Sequence, residues 1–105
     1  MAQVSDKIIN LIRKLIHEAE KDNIRISQAV IFGSYAKGTN HELSDIDVAV
    51  VSDDFEGISF YDNKKMFGAL LRTSIEIELH PYRPEEFTTE NPFVKEIIQY
   101  GYKII

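Results

Sequence analysis

The chain has 105 residues, 44% of them hydrophobic, which suffices for one compact domain and is too little for two, so residues 1–105 are read as a single domain. The absence of cysteine excludes a disulfide framework and thiolate-based metal or redox chemistry. A net charge of -5 repels a nucleic-acid backbone rather than steering it in, so direct nucleic-acid binding is not expected.

The first stretch, Met1-Ala2-Gln3-Val4-Ser5-Asp6, is polar, and no apolar run approaches the length of a membrane span. A soluble cytoplasmic protein without a membrane partner is the expectation. Ser5 is placed to cap a first helix, in which Ile8, Leu11, Ile12, Leu15, Ile16 and Ala19 recur at helical spacing. Asp22-Asn23 breaks it. Ile26 to Phe32 ends in four consecutive apolar residues and predicts a buried strand. Gly33-Ser34 follows, with Tyr35-Ala36-Lys37 as a short helical turn before Gly38, and Thr39 to Ser44 has the composition of a loop.

Asp45 to Val51 predicts a second strand, with Ile46, Val48 and Val50 on one face and Asp45, Asp47 and Ala49 on the other. A second long helix is expected over Phe60 to Leu71, with Met66, Phe67, Leu70 and Leu71 turned inward. Ser74 to His80 alternates with period two and predicts a third strand, ended by Pro81 and Pro84. Asn91-Pro92 starts a last helix that stops at Gly101, after which Tyr102 to Ile105 has room for a short strand. This order implies an α/β fold with a small sheet; strand directions are not readable from it. The pairs Arg13-Lys14 and Lys64-Lys65 read as solvated helix faces.

Three elements carry chemistry. A strand ending in Gly33-Ser34 lets the backbone turn sharply and offer free N–H groups and a hydroxyl to phosphate oxygens. Asp45 and Asp47, two apart on a strand, project their carboxylates from one face, an arrangement that a hard cation such as magnesium offsets. Glu76, Glu78 and His80 share one face of the third strand. Pairing of that strand with the second would bring one of them beside Asp47 and build a carboxylate trio, while Glu76 and His80 taken singly read as an exposed sheet face. Same-face neighbours lie about 7 Å apart along a strand, so one metal cluster favours one glutamate over the other.

The succession Gly33-Ser34-Tyr35-Ala36-Lys37-Gly38, a short loop, then Ser44-Asp45-Ile46-Asp47-Val48-Ala49-Val50 resembles the signature of the polymerase-β-like nucleotidyltransferase superfamily, G-S-x-A-x-G followed by S-D-x-D and an apolar strand. Length and element order resemble its minimal, stand-alone, antitoxin-type members. The resemblance implies the nucleotidyltransferase fold, with a small mixed sheet flanked by helices. It implies that Gly33 and Ser34 bind the triphosphate of a nucleotide such as ATP, and that Asp45 and Asp47 hold two magnesium ions with a third carboxylate. Many members have aspartate there; here Glu78 is the choice and Glu76 the alternative.

The resemblance further implies transfer of a nucleotide, AMP from ATP, to a hydroxyl with release of pyrophosphate, one carboxylate, Glu78 for choice, taking the hydroxyl proton. The acceptor it suggests is a tyrosine of a small all-helical HEPN-type partner, this chain being the antitoxin of a toxin–antitoxin pair. The competing reading is a non-catalytic antitoxin that neutralises such a partner by binding alone.

Overall fold

In the computed structural model, which describes residues 4–41 and 44–105, four helices and a four-stranded sheet follow one another in the order αβαβαβαβ. Met1 to Gln3, and Glu42-Leu43 within the expected loop, lie outside the described residues. Helix α1 spans Asp6–Lys21. The Ser5 hydroxyl accepts the Ile8 N–H at its start, Asp6 lies in the first turn and Lys21 in the last, each charge opposing the helix dipole. It buries Ile12, Leu15 and Ala19. Asn23, with φ 64°, turns the chain after it toward β1, Gln28–Phe32.

Gly33 begins the single-turn helix α2, Ser34–Lys37, and left-handed Gly38 closes it. β2 covers Ile46–Val51, α3 Ser59–Leu71 and β3 Ile77–Tyr82. A 3-10 turn at Pro84–Glu86, absent from the sequence expectations, leads to α4, Pro92–Tyr100, whose first N–H groups at Phe93 and Val94 donate to Asn91 Oδ1. β4 is the pair Tyr102–Lys103.

The sheet order is β3-β2-β1-β4. β1 runs antiparallel to both β2 and β4, and β2 runs parallel to β3, so the sheet is mixed. On one face Ile31, Ile46, Val48, Val50, Ile77 and Leu79 pack under α1 and α3. On the other, Val30, Ala49 and Val51 pack under Phe87 and α4 residues Val94 and Ile97. β2 is therefore apolar on both faces, as a covered strand must be. Asp47 is the exception, half-buried in a strand whose other five residues are buried.

Two expectations fail in the second half of the chain. Met66 is buried, but Phe67 and Leu71, expected inward, are 59% and 58% exposed. The inward face is set instead by Asp62, Met66 and Ala69, four and three residues apart. Asp62 is fixed there because its carboxylate accepts the N–H groups of Glu56 and Gly57 at 2.7 and 2.9 Å. The strand expected from Ser74 begins only at Ile77, and Ile75 is 85% exposed. It also continues through Pro81. β3 is an edge strand, Ile46 N–H donates to Glu76 O and Ser52 N–H to Tyr82 O, and Pro81 falls between the residues bonded to β2, so its missing N–H faces the open edge.

Candidate nucleotide and metal site

Strand register assembles the site at the end of the sheet where β1 stops and β2 starts. Phe32, last residue of β1, pairs with Asp47, and Asp47 pairs in turn with Glu78 of β3. His80 pairs with Ala49, one step along the same face. This is the face that α4 covers over Ala49 and Val51; the carboxylates occupy the part it leaves open.

Gly33 sits directly against Asp47. Its φ is +74°, which favours glycine, and a Cβ there would lie 2.5 Å from Asp47 Oδ2. The turn is thus shaped by contact with the carboxylate as well as by chain reversal. Ser34, the first residue of α2, is half-buried beside it, and its carbonyl accepts the Thr39 N–H at 2.9 Å, closing the loop over the turn.

Among the described residues, Asp47, Glu78 and His80 place ligand atoms within 4.8 Å of one another. His80 Nε2 stands 3.4 Å from Asp47 Oδ1. Asp45 is exposed, one residue before β2, and stands outside that group. It is still near enough for its charge to act on Glu78. Glu76 is exposed and precedes β3, bonded through its carbonyl to Ile46 and through its N–H to Ser74 Oγ, whereas Glu78 faces Asp47. Of the two glutamates only Glu78 is brought to the cluster.

The Glu78 carboxyl is held above the usual carboxylate range, first by a hydrogen bond with Asp47, then by burial and by the charge of Asp47; His80 opposes the shift and Asp45 adds to it. The two carboxylates crowd one another, which disfavours both being charged without a counter-ion. A divalent cation relieves that conflict, and a set of carboxylate oxygens open to water and phosphate suits magnesium, so the residues present fit the ion that the motif implies.

His80 is the member that sequence reasoning passed over, although its place in the alternating run put it on the right face. Beside Gly33 lies a pocket of about 190 Å³, also unforeseen, walled by Phe32, Phe93, Ile97 and Tyr100, with Lys37 and Glu96 lining it 3.7 Å apart.

The profile of the nucleotidyltransferase domain family matches residues 12–105. The protein adenylyltransferase MntA of Shewanella oneidensis strain MR-1 is 34% identical over 80 residues, 73% of this chain and 52% of that protein, so the chain spans about half the length of the relative it matches. A toxin–antitoxin crystallised with AMP-PNP shares the fold, with a TM-score of 0.62 and 24% identity over 92% of this chain and 72% of that one. A mutant of the MntA–HpeT toxin–antitoxin does so with a TM-score of 0.54 and 21% identity over 95% of this chain and 71% of the other. With the profile running through Gly33, Asp47 and Glu78, this chain belongs to the nucleotidyltransferase domain family.

Proposed function

We propose that the chain is a magnesium-dependent nucleotidyltransferase that moves AMP from ATP to a protein hydroxyl, a tyrosine of a small all-helical HEPN-type partner, as the antitoxin of a toxin–antitoxin pair. The observation that carries this reading is the contact of the Gly33 backbone with Asp47, which in turn faces Glu78. Finding the Gly33-Ser34 turn beside the carboxylate pair supports reading the turn as a phosphate site and the pair as a cation site. The naming of one relative as a protein adenylyltransferase, and of two structural neighbours as toxin–antitoxin systems, one with AMP-PNP, supports the acceptor class and the pairing.

Asp47 and Glu78, with Asp45 from the end of the preceding loop, would hold two magnesium ions, which neutralise the triphosphate and align the displacement when bound. Gly33 and Ser34 hold the phosphates by backbone N–H groups and the Ser34 hydroxyl. The acceptor oxygen bonds to the α-phosphorus as the bond to the bridging oxygen breaks, and pyrophosphate leaves. Glu78, which faces Asp47 across the strand pair, takes the hydroxyl proton. Release of that proton to solvent resets it.

The test is incubation of the chain with its copurified partner, magnesium and ATP labelled at the α-phosphate. Label on a partner tyrosine is the expected result, reduced by orders of magnitude in an Asp47→Asn protein that melts no lower than the wild type. A tight complex that never acquires label would leave the binding-only antitoxin as the better reading.

A further inference from the structure

The proposed reaction asks for carboxylates, and the cluster contains one side chain that is not. His80 aims Nε2 at Asp47 Oδ1, 3.4 Å away, and its ring is 27% exposed. The ring does not reach that position by chance of a free rotor. Phe32 meets it edge-on with centroids 4.8 Å apart at 67°, and Phe93 of α4 flanks it at 6.3 Å and 47°. Two aromatic neighbours from two different elements therefore set the orientation of the imidazole.

The spacing matters. Two donors on one ion at about 2.0–2.2 Å, at tetrahedral or octahedral cis angles, lie about 3–3.5 Å apart. The His80 nitrogen and the Asp47 oxygen already stand at that separation, and the Glu78 carboxylate is within 4.8 Å of both. An ion seated between the carboxylates would lie within reach of the imidazole nitrogen. Magnesium gains little from a nitrogen ligand, whereas first-row transition ions bind imidazole well, in the order that rises from manganese toward copper.

We propose that His80 is a nitrogen ligand of the divalent-metal site, and that it makes this site prefer a first-row transition ion over magnesium. The inference rests on the reading of the cluster as a metal site and goes beyond it in naming the ligand that sets the metal preference.

The experiment titrates the full-length, metal-free chain with manganese(II) and with magnesium separately, by calorimetry and without nucleotide. Pulsed electron paramagnetic resonance of the manganese form then looks for nitrogen coupling. His80→Phe keeps a ring between Phe32 and Phe93 and removes the nitrogen; His80→Gln removes the ring and keeps a polar group. Melting curves establish that both variants are folded. The wild type should bind manganese at least about tenfold more tightly than magnesium and show nitrogen coupling. Both variants should lose about tenfold or more in manganese affinity and lose the coupling, with magnesium affinity nearly unchanged. An unaltered manganese-to-magnesium ratio in folded variants, or no nitrogen coupling in the wild type, overturns the assignment of His80 while leaving the carboxylate site intact. Failure of the wild type to bind either ion overturns the metal site itself and His80 with it, and is recognised because Asp47→Asn then changes nothing.

Discussion

Between α1 and α3, Glu18 accepts hydrogen bonds from Arg72 Nε at 2.6 Å and from Lys21 Nζ at 2.9 Å, and Asp22 takes another arm of the same guanidinium at 2.9 Å. At the site end of the sheet, Glu78 faces Asp47 with Asp45 close by, and among the described residues neither Asp47 nor Glu78 has a lysine or arginine partner. The proton affinities move in opposite directions. Lys21 and then Arg72 hold the Glu18 carboxyl down at about 2, while Asp47 and burial hold that of Glu78 up. The first group is balanced by the protein's own cations and ties two helices together. The second is left unbalanced, and its balance has to come from outside.

The pH consequences follow with opposite signs. Glu18 has a depressed value, so its contribution to stability is present above the ordinary carboxylate range and is lost as pH falls toward about 2. Glu78 has a raised value, so its favourable contribution belongs to the acid form, is present below the ordinary carboxylate range and is lost as pH rises through the raised value. At neutral pH the metal-free protein carries the repulsion between Glu78 and Asp47.

Glu78→Gln sharpens the contrast most. Transfer should fall by orders of magnitude, while metal-free melting at pH 7 should rise slightly, a gain that fades as pH falls into the ordinary carboxylate range. Parallel assays and melts of Glu76→Gln should show only a mild change, since Glu76 does not face Asp47. A loss of activity in Glu76→Gln larger than in Glu78→Gln would contradict the β2–β3 register as the basis of the site.

Gly33→Ala comes next. The new Cβ meets Asp47 Oδ2 at 2.5 Å in a left-handed backbone, so the turn or the carboxylate must move. A stability loss of about 1–3 kcal/mol in urea titration should accompany severely weakened nucleotide binding. Ser34→Ala should cost about 1.5–3 kcal/mol of nucleotide affinity by calorimetry, with no change in melting. Unchanged affinity would make Gly33-Ser34 a turn and nothing more. Arg72→Met should do the reverse of these. It removes the cation shared by Glu18 and Asp22, so the melting temperature should drop by a few degrees while nucleotide affinity holds.

What was legible in the sequence is what periodicity and local chemistry determine. The Ser5 cap, the strand ending at Phe32, the Gly33-Ser34 turn, the Asn91 start and the shared face of Glu78 and His80 all depend on neighbours within a few residues. What was hidden depends on pairing across the chain. Strand directions follow from pairings to which no local pattern refers. The choice of Glu78 over Glu76 comes from family resemblance alone, and the β2–β3 register is what sets Glu78 opposite Asp47. Phe67 and Leu71 misled because α3 carries apolar residues on two sides, Phe60, Phe67 and Leu71 forming an exposed stripe opposite to no buried one that spacing alone could single out. His80 was set aside for lack of its aromatic neighbours, one at the end of β1 and one in α4, which only the fold brings to it.

The central claim is that the unbalanced carboxylates of Asp47, which lies against Gly33, and Glu78, which faces Asp47, form a metal-dependent nucleotide site. Calorimetric titration of the chain with AMP-PNP tests it most directly, with magnesium present or with excess chelator, in the wild type and in Asp47→Asn. The non-hydrolysable nucleotide removes any need for an acceptor. Saturable binding with magnesium, lost in chelator and lost in a folded Asp47→Asn protein, is the predicted result. Equal affinity in chelator, or in Asp47→Asn, would contradict the account.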